Sequence, residues 1–177
     1  RSRKVLRLRG RRQSMSSEIV AVQRRAAAAL LGAIVGDAAA QTSHWNYDRA
    51  KFHAKLKAAG RFETPEFFAA NSFYTVTSGK NTCYGEQMLA LAAHLAAHPT
   101  DPLSATSRAK LVDRLEAAFD GASAYGPWPV AADAPKPTLP IPGPWRHGSI
   151  KGFLDNLRAG KRDIPECGSD DSQGDCV

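Results

Sequence analysis

Four small residues, Ala28, Gly32, Gly36 and Ala40, recur every four positions within one apolar stretch of this 177-residue chain. That spacing places them on a single helical face, where the absence of bulk lets a second helix approach closely. Val22, Leu30, Leu31, Ile34 and Val35 cover much of the remaining circumference. The pattern predicts a central, buried helix over about 17–40, with Ser17 as its N-cap and Glu18 in the first turn, where the helix dipole favours an anion. A helix of that kind needs partners, and the rest of the sequence supplies helical material. Alanine dominates and β-branched residues are sparse, which favours helix over strand. The expected class is all-α.

Further helices are expected over 47–59, closed by Gly60, over 85–98, stopped by Pro99, over 106–119, and over 149–159, closed by Gly160. In the fourth of these five helices, Leu111, Leu115 and Phe119 share one face. Residues 61–82 mix loop signals with five aromatic side chains that either cover the core or line a cleft. Residues 126–144 hold seven of the eleven prolines and read as loop. Within them Pro137-Thr138-Leu139-Pro140 fits P-x-x-P, for which a structural loop is preferred over a peptide-domain ligand. The stretch from Asp170 to Val177 reads as a helix that has just begun. A bundle buries each helix against neighbours before and after it, so the expectation is a partial domain over 17–177 whose remaining helices lie C-terminal to it.

The net charge of +7 suggests nucleic acid as a partner, but seven basic residues fall within 1–14, where there is no acid. Without them seventeen basic residues face seventeen acidic ones, so the basic character belongs to a tail, expected to be disordered over 1–16. The tail is consistent with upstream sequence before a start at Met15, with a mitochondrial transit peptide, or with a basic arm. Cys83, Cys167 and Cys176 form no framework and no C-x-x-C, so reduced thiols in an intracellular, cytoplasmic protein are expected. Ala26 to Ala40 is too short for a membrane span and carries Asp37, so no membrane partner is expected.

Five segments carry a resemblance. They are Gly32-Ala33-Ile34-Val35-Gly36-Asp37-Ala38-Ala39-Ala40; His44-Trp45-Asn46-Tyr47-Asp48; Gly79-Lys80-Asn81-Thr82-Cys83-Tyr84-Gly85-Glu86-Gln87; Trp145-Arg146-His147-Gly148-Ser149-Ile150-Lys151-Gly152-Phe153-Leu154; and Cys167-Gly168-Ser169-Asp170-Asp171-Ser172-Gln173-Gly174-Asp175. In this order the set resembles the ADP-ribosylglycohydrolase superfamily, and within it the J1-crystallin-like branch. The resemblance implies an orthogonal multi-helix bundle with its cleft at helix ends and loops. It also implies a chemistry, the cleavage of glycosidic bonds of ADP-ribose with two Mg²⁺ ions held by carboxylates and a threonine. The partner implied is ADP-ribose or an ADP-ribosylated protein, with nucleic acid entering only through the basic tail.

The sequence departs from that pattern. Where active members read T-D-D-T, this chain has Cys83, Tyr84, Gly85 and Glu86, so the usual magnesium ligands are not retained. The candidate catalytic residues are Asp37 and Glu86, and the candidate ligand contacts are His44, Asn81, Thr82, Asp170 and Asp171. Each has a plainer alternative: a packing role for His44, a helix-start role for the two aspartates. Asn81 and Thr82 precede a helix start, whose backbone N–H groups suit phosphate. His94 and His98, four apart, are read as surface residues rather than metal ligands. The function is thus either an ADP-ribosylglycohydrolase-like hydrolase or its remnant, or a non-catalytic J1-crystallin-like structural protein.

Overall fold

The computed structural model describes residues 2–68, 71–130 and 137–170. Five helices dominate: α1 (Ser2–Gln41), α2 (Arg49–Ala58), α3 (Cys83–Ala97), α4 (Ala105–Phe119) and α5 (Gly148–Arg158). Two short strands, β1 (Tyr74–Thr75) and β2 (Ile141–Pro142), pair in parallel, Tyr74 opposite Ile141. The all-α expectation holds. The chain divides into two compact units, Arg1–Gly36 and Asp37–Val177.

The first unit is most of α1, and it corrects three expectations. The helix does not start at Ser17 but runs on upstream to Ser2. Arg, Leu, Lys and Gln, all good helix formers, predominate there, and no proline interrupts them. Nor is the helix buried. Val22, Leu31 and Val35 are 54%, 61% and 57% exposed, and a methyl group placed on Gly32 or Gly36 would meet nothing within 4 Å among the described residues. Finally, Glu18–Gln41 is long and apolar enough, by length and composition, to cross a membrane, with a mean hydropathy of 1.5 over its most apolar eighteen-residue window. The apolar stretch is longer than 26–40 because Ile19, Val20 and Val22 extend it.

The second unit is built on α3, α4 and α5. Ile150, Phe153, Leu154 and Leu157 follow the spacing of one helical face and are all buried. They meet Val112, Leu115 and Phe119 of α4 and Cys83 and Ala90 of α3. Phe119 and Ile150 have no exposed surface at all. The caps explain the boundaries. Asp48 accepts from the Lys51 N–H, Ser104 from the Ser107 N–H, and Thr82 from the N–H groups of Tyr84 and Gly85. Gly60 and Gly160 end α2 and α5 with φ of 66° and 81°, a region that glycine enters without steric cost.

His94 departs from the surface role expected of it. It is buried, and its Nε2 lies 3.1 Å from the Ser107 hydroxyl and 3.0 Å from the Pro102 carbonyl, tying α3 to α4. Its alanine-rich surroundings looked solvent-facing only because a helix packed closely against α4 needs small side chains there. The segment after α5 returns to it. Asn156 donates to the carbonyls of Cys167 and Gly168, and Ser169 Oγ fills the space that a side chain on Gly152 would need.

Phe119→Ala is expected to lower unfolding free energy by about 3–5 kcal/mol through lost burial and the cavity left behind. Leu103→Ala, at a site 68% exposed, should change it by less than about 0.5 kcal/mol. Urea denaturation of both variants checks the pair.

Candidate functional site

Asp37 belongs to the last turn of α1, and its carboxylate reaches the start of α3. Oδ2 accepts from the Asn81 side-chain amide at 2.9 Å and from the Thr82 N–H at 2.8 Å; Oδ1 accepts from the Thr82 hydroxyl at 2.5 Å. The Thr82 oxygen in turn accepts from the Tyr84 N–H at 3.2 Å and the Gly85 N–H at 3.5 Å. The threonine thus caps α3 with its lone pairs while giving its proton to Asp37. Placed against a helix N-terminus, the carboxylate also faces the positive end of the helix dipole. Gly85 is what lets it in: a Cβ there would lie 2.2 Å from Asp37 Oδ2 and 2.7 Å from the Asn81 amide.

The structure therefore brings the candidate residues Asp37, Asn81 and Thr82 together. Glu86 lies in the first turn of α3 and is half-buried. Burial pushes its carboxyl above the ordinary range and Asp37 adds to this, against the opposing effects of Tyr125 and Lys80.

His44 follows in the turn after α1. Its Nδ1 is 3.0 Å from the Tyr74 hydroxyl, and its ring meets Trp45, Tyr74 and Tyr84 edge-on. Burial lowers the affinity of His44 for a proton, more than Asp37 raises it. Burial likewise pushes the Tyr74 phenol up to about 12. At neutral pH Tyr74 therefore keeps its proton and donates it to an uncharged His44. Asp37, His44, Trp45, Thr82 and Tyr84 help line a cavity of about 320 Å³.

Asp170 is exposed and does not line that cavity; Asp171 lies outside the described residues. His147, which stands in the Trp145–Ser149 segment without an expected role, is fully buried. It stacks on Tyr84 with centroids 4.9 Å apart and planes 9° from parallel, and its two nitrogens lie 3.1 Å from Gln87 Oε1 and Ser149 Oγ. Since Oε1 can only accept, Nε2 donates to Gln87, and in a neutral ring Nδ1 then accepts from Ser149. The signal was available as the Trp145–Ser149 segment, but spacing alone does not tell a buried histidine from a reactive one.

Positions 83–85 are thus taken up by packing. Cys83 is in the core, Tyr84 stacks on His147, and Gly85 makes room for Asp37. Among the described residues no group of three His, Cys, Asp or Glu side chains converges as a cation site.

The chain is 32% identical over 151 residues to crystallin J1A of Tripedalia cystophora, covering 82% of this chain and 43% of that protein. It is 32% identical over 161 residues to crystallin J1B of the same organism, covering 88% of this chain and 45% of that protein. The chain therefore spans less than half the length of these relatives. No family model matches, and no solved structure matches.

Two substitutions test the site. Gly85→Ala should destabilise by about 1–3 kcal/mol, because Asp37 has to give way. Glu86→Gln should raise the melting temperature near neutral pH. A carboxyl raised in the folded state is neutral in both states well below its ordinary value of 4.5. As pH rises, the unfolded chain ionises first and stability falls until the folded group ionises too. The gain from Gln should therefore shrink to nothing at pH well below 4.5. Melting curves across pH check the direction.

Proposed function

We propose that this chain, a homologue of the J1 crystallins, forms part of a non-catalytic structural protein of crystallin type. The observation that carries this reading is the use made of Asp37. Both of its oxygens accept hydrogen bonds from Asn81 and Thr82, whose protons point at the carboxylate. A divalent cation at those oxygens would face the same protons and would have to displace them. Mg²⁺ needs several convergent hard oxygen donors in near-octahedral array, and the residues present do not fit it. Glu86 is the one carboxylate of its four-residue stretch, and Cys83, Tyr84 and Gly85 offer none.

The order of the five segments supports descent from the ADP-ribosylglycohydrolase superfamily. On this proposal the superfamily's helical architecture is kept while its metal chemistry is lost. Asp37 becomes a joint between two helix ends. Cleavage of ADP-ribosyl bonds remains the competing reading and gives the opposite expectation for ligand response.

Only ligand bound to the native state raises stability, by about 2.7 kcal/mol at one hundred times the dissociation constant. Melting the protein alone and with ADP-ribose plus Mg²⁺ should give the same temperature, with no ADP-ribose released from a modified protein. A ligand-dependent rise in melting temperature, or release of ADP-ribose, would overturn the structural reading.

A further inference from the structure

We propose that His94 and His98, one turn apart at the end of α3, bind a late first-row transition-metal cation of the Zn²⁺ type through one nitrogen each. Side chains at this spacing are neighbours on a helix surface. The two rings have centroids 4.8 Å apart and planes 48° from parallel. Imidazoles that share one ion through nitrogen bonds of about 2.0–2.1 Å have centroids roughly 4.5–5 Å apart. The burial of His94 also removes the ground on which the pair reads as two surface residues.

His94 is already set for such a role. A carbonyl oxygen only accepts, so the 3.0 Å contact with the Pro102 carbonyl places a proton on Nε2. In the neutral ring Nδ1 is then a bare acceptor. It is buried, and nothing among the described residues donates to it. A ring that gives its other N–H to a backbone carbonyl is fixed in tautomer and orientation, as metal-ligating histidines are. The other histidines are placed differently. Both nitrogens of His147 are engaged, Nδ1 of His44 meets Tyr74, and His53 lies against Phe62.

His98 brings the second nitrogen. It caps α3 and is half-buried. Burial, Lys110, His94 and Arg114 all lower its affinity for a proton, and only the neutral ring can ligate. The charges of Lys110 and Arg114 also oppose an incoming cation, whereas the negative end of the α3 dipole favours one. That balance disfavours an ion held by charge and oxygen, such as Mg²⁺, and leaves one held by nitrogen bonds. A cavity of about 230 Å³ beside His98, lined also by Asp101, Ser104 and Lys110, has room for water to complete the coordination.

The test is isothermal titration of the whole chain with Zn²⁺ under reducing conditions, with Mg²⁺ as the hard-ion control. Saturable binding of Zn²⁺ is expected, with Mg²⁺ at least a hundredfold weaker. His98→Asn should weaken Zn²⁺ at least tenfold while leaving the metal-free circular dichroism and melting temperature unchanged. His53→Asn should leave the affinity unchanged. In imidazole ¹⁵N spectra two rings should shift with Zn²⁺; His98→Asn should remove one of them and leave the other unresponsive. Absence of saturable Zn²⁺ binding, equal binding of Mg²⁺, an affinity indifferent to His98→Asn, or a shift of one ring alone would overturn the proposal.

Discussion

The carboxylate of Asp37 holds the end of one helix to the beginning of another. Three donors, all from Asn81 and Thr82, converge on it within 2.9 Å. Each feature around it follows from that placement. Thr82 has to be a hydroxyl residue, because its oxygen caps α3 while its proton goes to Asp37. Gly85 has to be small, because any side chain there would collide with the same carboxylate. A charge-assisted bond of this kind is worth roughly twice a neutral one. Leaving Asp37 without its donors would strand a half-buried charge, which costs more than the bonds contribute.

The same placement separates the two chemistries that a carboxylate at a helix start can serve. Surrounded by water and other acids, it can hold a cation. Surrounded by an amide, a hydroxyl and a backbone N–H, it is a hydrogen-bond acceptor with a structural role. Glu86, in the first turn of α3, feels the charge of that carboxylate. Burial and the neighbouring charge of Asp37 both favour its proton.

Much of the helical layout was legible in the sequence. Gly60, Pro99 and Gly160 marked helix ends because they act locally, and the Leu111, Leu115 and Phe119 spacing marked the face of α4. The start of α1 was misplaced because Ser17 looks like a cap only if the residues before it are not helical. The burial of α1 was misjudged for a different reason. A stripe of small residues tells what could pack against it, not whether a described element does. The bonds from Asn81 and Thr82 to Asp37 were not legible, since residues 44 and 45 positions apart share no local signal. His94 and His147 were missed as buried hydrogen-bonding residues because their partners, Ser107 and Gln87, are 13 and 60 positions away.

A double-mutant cycle between Asp37→Ala and Thr82→Ala, read by urea unfolding, tests the joint most directly. If the two side chains act as one hydrogen-bonded unit, the combined loss should fall short of the sum of the single losses by about 1–3 kcal/mol. Additive losses would contradict the account, for they would mean that Asp37 contributes to stability without Thr82 and that its role lies elsewhere.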